Sequence, residues 1–217
     1  MKVKSINISL DTLKPDLYSQ LTGGGDIFKV FNSLFKVIEN KISDVKINVV
    51  VIKGKNEDEI LDFIELAKNY PIDLRFIELM PLGLGKKFEE VSNEEVKKTI
   101  SKKYRLESVK ESDGFGPAVY YKVEGFKGKV GFINPLSHNF CSSCNRVRVT
   151  SDGFFKLCLH SNQGISLKEL LRSDKKINLE NVILKEITKK PGKHLFNKHH
   201  EKDIFSVETR LMNKIGG

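Results

Sequence analysis

From Val3 to Asp11 the chain alternates: Ser5, Asn7, Ser9 and Asp11 fall on one face, Ile6, Ile8 and Leu10 on the other. That is the period-two signature of a strand with one polar face. After a loop at Thr22–Gly25, Asp26 is placed to cap a helix whose apolar stripe runs through Ile27, Val30, Phe31, Leu34, Phe35 and Ile38. Residues 45–52 predict a second strand, with Lys46 and Asn48 sharing a face with Val50 and Ile52, and Val45, Ile47, Val49 and Val51 facing the other way. Asn56 to Glu59 reads as a capping box for a helix presenting Ile60, Leu61, Phe63, Ile64 and Ala67, which Pro71 stops. Residues 73–80 predict a third strand, with Glu78 and Met80 on one face.

Strand, helix, strand, helix, strand implies parallel β/α units. Strands of such units normally read as near-continuous apolar runs. Here each keeps polar residues on one face, which suits a barrel-like sheet whose inner face lines a ligand cavity. Beyond Gly83 the character changes. Leu82–Gly85 reads as an exit loop, and 92–103 as a helix capped by Ser92. Strands are expected at 104–109, 117–124 and 128–133, separated by Ser112-Asp113-Gly114 and by Gly125, as an antiparallel cap. Helices are expected at 166–171 and 179–190, before a basic tail.

Composition narrows the class. The 217 residues suffice for one large or two small domains, and 39% hydrophobic with 30% charged residues describes a soluble globular protein. No apolar run reaches the length of a membrane span, and no secretory leader is visible. Reduced thiols fit the cytoplasm. The net charge of +9 describes a lysine-rich solvated surface that also suits an anionic small ligand or nucleic acid. Aromatics do not interleave with basic residues in any nucleic-acid motif, and no repeat stands out.

The candidate chemistry is concentrated between Asn134 and Ser161, where Cys141, Cys144 and Cys158 are all the cysteines of the chain. The spacing is C-x2-C, then thirteen residues to the third. The short gap lets one turn aim two thiolates at a point; the long one is a strand, a Ser151-Asp152-Gly153 turn and a return strand. An odd count disfavours disulfides. Three soft thiolates suggest either an iron–sulfur cluster with one open iron, or zinc with His138 or His160 as fourth ligand. The zinc option corresponds to a zinc-ribbon protein contacting nucleic acid through its positive charge. Alternation puts Arg146 and Arg148 on one strand face, where two guanidiniums suit a phosphate-bearing ligand.

The run SHNFCSSCNRVRVTSDGFFKLCLHS resembles the carboxy-terminal cluster motif of the GTP 3′,8-cyclase family, radical S-adenosylmethionine enzymes of molybdenum cofactor biosynthesis. INISLDTL at 6–13, VKINVVVIKGKNEDEI at 45–60, RFIELMPLG at 75–83 and the terminal Gly216-Gly217 resemble it in the same order. The resemblance implies an α/β fold: the carboxy-terminal part of an incomplete β/α barrel over 1–83, then an α+β cap over 84–217 that carries an iron–sulfur cluster. It implies a lyase reaction in which a deoxyadenosyl radical takes hydrogen from C3′ of GTP and C8 is then attacked, giving 3′,8-cyclo-7,8-dihydro-GTP. By resemblance Cys141, Cys144 and Cys158 hold a [4Fe-4S] cluster. Ser9 and Met80 contact S-adenosylmethionine, and Lys46, Arg146, Val147 and Arg148 bind GTP; the two terminal glycines reach the active site. The implied downstream partner is cyclic pyranopterin monophosphate synthase; a homodimer is admitted, and neither nucleic acid nor membrane is expected. The family's C-x3-C-x2-C, which ligates the first cluster, has no counterpart here, so this chain is expected to be inactive alone.

Overall fold

A computed structural model of the chain describes residues 3–41, 44–109, 116–138, 140–173 and 177–192. The three strands expected in the first half form as β1 (Ser5–Ser9), β2 (Asp44–Val50) and β3 (Ile72–Ile77). They pair in parallel, with Asn7 opposite Lys46 and Ser9 opposite Asn48, then Lys46 opposite Asp73 and Asn48 opposite Arg75. Helices α1 (Pro15–Thr22) and α2 (Ile27–Glu39) join β1 to β2, and α3 (Ile60–Asn69) joins β2 to β3. Asp26 caps α2 as expected, accepting the Phe28 N–H at 2.9 Å. Helix α1 is additional to the sequence reading. Its signals are Pro15 in its first turn and, just past its end, Gly23 at φ 71°, a left-handed conformation that costs glycine little.

The capping box at Asn56 and Glu59 does not form. Both side chains are buried, and buried polar groups must find partners. The ends of β1 and β2 offer better ones than the local helix. Asn56 accepts the Ile52 N–H at 2.7 Å and donates to the carbonyls of Val50 (2.9 Å) and Asp11. Glu59 accepts the Thr12 hydroxyl and the Leu13 N–H, both at 2.6 Å. At Ser92, by contrast, the expected cap is present, reciprocated by Glu95, and opens α4 (Asn93–Ser101).

The strands expected to begin a separate cap continue the same sheet. They are β4 (Glu107–Ser108), β5 (Val119–Lys122) and β6 (Val130–Ile133). Strand β6 pairs parallel to β3, with Arg75 opposite Gly131; β5 and β4 follow antiparallel, giving the order β1-β2-β3-β6-β5-β4. The reason is burial: Val130, Gly131 and Phe132 are all buried, and the Phe132 ring stacks on Phe76 of β3 at 5.9 Å. The chain accordingly divides into two compact units, Met1–Leu79 with Phe88–Ser137, and Met80–Lys87 with His138–Gly217. The expected turn at Ser112–Gly114 and the terminal glycines lie outside the described residues.

One face of the sheet is covered by helices. Val45, Ile47 and Val49, Ile72, Leu74 and Phe76 join Leu34 of α2, Phe63 and Ile64 of α3, and Val96 and Ile100 of α4 in one buried cluster. Each such side chain contributes about 1.5–3 kcal/mol on burial. The opposite face keeps its polar residues and is only partly covered. This is a mixed α/β fold.

The second unit is built around a three-stranded antiparallel sheet of β7 (Arg148–Val149), β8 (Phe154–Lys156) and β9 (Gly164–Ser166). The expected hairpin between β7 and β8 is present, with Gly153 in its turn at φ 81°. Strand β9 was not anticipated. It lies so close to β8 that a Cβ on Gly164 would sit 2.0 Å from the Phe155 carbonyl oxygen. Two short helices follow, α5 (Leu167–Arg172) and α6 (Leu179–Ile187), capped by the side chains of Ser166 and Asn178.

Candidate functional site

The sheet register sets the polar residues of four strands in adjoining rows on the open face. One row holds Asn7, Lys46 and Asp73; the next holds Ser9, Asn48, Arg75, Gly131 and, on β5, Tyr120. Arg75 spans the rows: its Nε donates to the Tyr120 hydroxyl at 2.6 Å and a terminal nitrogen donates to Asn7 Oδ1 at 3.2 Å. Burial raises the pKa of the Asp73 carboxyl, opposed in turn by Lys129, Lys46 and Arg75. Beside these charges the Oδ1 of Asn48 is buried and has no hydrogen-bond partner among the described residues. A native structure rarely leaves such an acceptor unsatisfied, and a bound ligand is one of the few ways to satisfy it. Ser9 and Lys46 thus share the face that sequence reasoning gave them. Arg75 and Asn48 are additions; the signal for Arg75 was its alternation with Asp73.

At the end of β3 the structure departs from the sequence reading. The strand stops at Ile77, and Glu78 continues the helix-covered side, 4% exposed. Its carboxylate accepts the N–H groups of Leu136 (2.8 Å) and Ser137 (3.1 Å) and the Ser137 hydroxyl. Buried Asn93 donates to the Ile133 carbonyl at 3.1 Å and to the side chain of Asn134. Two buried polar side chains therefore fix residues 134–137, the approach to the cysteines. Met80, expected on the strand face with Glu78, lies beyond β3 in the second unit.

In that unit Cys141 opens a 3₁₀ turn, Cys141–Ser143, and the Cys144 N–H closes on the Cys141 carbonyl at 3.2 Å. Strand β7 sets Arg148 opposite Lys156. None of the three thiols is in a disulfide, and all three are partly exposed. Burial and then the neighbouring Arg146 lower the pKa of Arg148, while Cys158 and Cys144 oppose them, so this guanidinium lies within electrostatic range of both cysteines. Lys190, which sequence reasoning did not single out, donates from Nζ to the carbonyls of Arg146 and of Leu157, the latter at 2.8 Å. It clamps the two chains of the hairpin next to Cys158. Lys156 itself is fully buried.

The molybdenum cofactor synthesis C family matches residues 72–196, more than half of the chain and all of the cysteine segment. The chain belongs to this family. Relatives of the family bear the name GTP 3′,8-cyclase. One from Clostridium perfringens (strain SM101 / Type A) is 49% identical over 223 residues, covering 99% of this chain and 66% of the relative. Others, from Alkaliphilus metalliredigens (strain QYMF) and Syntrophomonas wolfei, are 45% and 40% identical, each over 65% of its own length. The chain thus spans just under two thirds of the curated relatives it matches.

Membership in this family leaves the zinc-ribbon alternative without support. Among the described residues no three His, Cys, Asp or Glu side chains are grouped to hold one metal ion. What the donor set shows is three thiols on one segment, none in a disulfide, soft ligands of the kind that iron–sulfur clusters take. No helix among the described residues is long and apolar enough to cross a membrane.

Proposed function

We propose that this chain is the GTP-binding and second-cluster portion of a radical S-adenosylmethionine GTP 3′,8-cyclase, acting in the cytoplasm in molybdenum cofactor biosynthesis. The observation that carries the reading is the 49% identity, across 99% of the chain, to a relative of that name. The six-stranded sheet is then the carboxy-terminal part of a β/α barrel, with its open face turned to the ligand cavity. When bound, the cofactors supply the radical that takes hydrogen from C3′ of GTP and an open iron beside the substrate.

The protein's own residues bind and orient. Lys46, an ammonium on the sheet face, neutralises phosphate charge, and Arg146 and Arg148 do so through planar donors suited to phosphate oxygens. Val147 lies between them. The unpartnered Asn48 Oδ1 accepts a hydrogen bond from the ligand. Ser9 and Met80 contact S-adenosylmethionine, and Cys141, Cys144 and Cys158 hold a [4Fe-4S] cluster. The product passes to cyclic pyranopterin monophosphate synthase.

Anaerobic reconstitution followed by iron, sulfide and zinc analysis, with GTP calorimetry, tests this reading. One four-iron cluster per chain is expected, lost in Cys144→Ala. Arg148→Ala should weaken GTP binding by about 1–3 kcal/mol, the scale of a charge-assisted hydrogen bond. Stoichiometric zinc without iron, or unchanged GTP affinity in both Arg146→Ala and Arg148→Ala, would overturn it.

A further inference from the structure

A second basic surface lies away from the proposed substrate face. The consecutive residues Tyr120 and Tyr121 of β5 project to opposite sides of the sheet, Tyr120 toward Arg75 and Tyr121 toward the helix-covered side. There an open groove of about 490 Å³ is lined by Lys97, Ser101, Lys102, Lys103, Arg105 and Tyr121, among others. The C-terminus of α4 accounts for some of this charge, because helix carbonyls attract cations within the last turn. It does not account for Lys97, whose ammonium sits 4.5 Å from the Tyr121 ring centroid, or for Arg105, beyond the helix end. Counter-charges are few: Glu65 meets Lys103 at 3.1 Å and Glu107 meets Arg105 at 3.6 Å. Neither Lys97 nor Lys102 has a carboxylate partner among the described residues.

The groove discriminates between anions. A compact phosphate is usually held by converging backbone N–H groups; this end of α4 presents carbonyls instead. Single-stranded nucleic acid needs free aromatic faces for its bases. Tyr104 is packed edge-on with Phe126 at 5.0 Å and flanked by Lys68 and Lys103, and Tyr121 is covered by Lys97. Separate cationic heads strung along a shallow open trough, with the Ser101 and Tyr121 hydroxyls as donors, match carboxylates strung along an extended chain. We infer that this groove binds an acidic, glutamate- or aspartate-rich segment of a partner protein.

Fluorescence anisotropy with a labelled glutamate-rich peptide tests the inference on the full chain. Lys97→Glu with Lys102→Glu should weaken binding about tenfold or more, and added salt should weaken it further. Arg105→Glu, outside the helix, is an independent variant expected to act in the same direction. A control reversal of Lys29 and Lys36, on α2 and away from the groove, should change affinity by less than about threefold, because it alters net charge alone. Circular dichroism confirms that each variant is folded. An equal loss in the control would overturn the inference, as would failure of the peptide to bind. Binding of tripolyphosphate or a single-stranded oligonucleotide in its place would overturn it too.

Discussion

Glu78 occupies a position from which a carboxylate is hard to remove. Its three donors, two of them main-chain, lose a buried carboxylate acceptor once it is gone, and each hydrogen bond to such a charged group is worth about 1.5–3 kcal/mol. Glu78→Ala should therefore lower stability by about 3 kcal/mol, read as a shift in urea midpoint at constant slope. Glu78→Gln keeps an acceptor oxygen and should lose less; equal losses would show that the cavity dominates, not the hydrogen bonds. Asp11 offers a pH test. Burial raises its pKa above the ordinary 3.8, against the pull of the Val50 N–H that it accepts at 2.9 Å. A carboxyl raised on folding gives stability that is full below its unfolded pKa and lost as pH rises through the folded one. Asn in its place keeps an acceptor and does not titrate. Asp11→Asn should thus gain stability relative to the parent between pH 4 and pH 7, and a difference independent of pH would refute the burial argument.

The cysteine hairpin is the element whose order matters most to the proposed cluster, and Lys190 is its clamp. Lys190→Met keeps the aliphatic stem and removes both donors, at a cost of about 1–3 kcal/mol. Faster hydrogen exchange across β7 and β8, with faster reaction of Cys158 with a thiol reagent, is the expected readout; unchanged protection would mean that the strand ladder alone holds the hairpin. No sequence pattern announced this contact, because it joins residues 190 and 157 across 33 positions. What could be read was what is local. The β1 and β2 alternation, the Asp26 and Ser92 caps and the Gly153 turn each follow from neighbours within a few residues. What could not be read depended on distant partners. The apolar run at Val130–Phe132 carries no mark saying which sheet it joins; Phe76 decides that. Asn56 and Glu59 have the spacing of a capping box, and only the buried ends of β1 and β2 redirect them. On the open face, alternation placed Ser9, Lys46 and Asn48 on the polar side, whereas the missing partner of Asn48 becomes visible only in three dimensions.

At the scale of the whole molecule, the proposed chemistry needs two kinds of iron–sulfur ligation, and the chain holds three cysteines in all. They fall on one segment of the second unit, assigned above to the cluster that meets GTP. Ser9 and Met80, assigned to S-adenosylmethionine, can position it, but neither a serine hydroxyl nor a thioether can reduce it. The hard step belongs to a cofactor, and a protein contributes only what it holds in place. Among the described residues β1 is an edge of the sheet, and its outer main-chain groups are open to pairing with another strand. The 217-residue chain alone, loaded with its cluster and given GTP, S-adenosylmethionine and a strong reductant without oxygen, should release no 5′-deoxyadenosine above the protein-free level. It should still bind GTP in the same buffer, which separates a missing radical source from a misfolded site. Supplying the amino-terminal third of the Clostridium perfringens relative as a second polypeptide should then restore release, because the proposed function requires a second cluster that the three cysteines of this chain do not supply. Deoxyadenosine formed by the chain alone would show that the radical arises at Cys141, Cys144 and Cys158, and would reverse the role proposed for that cluster.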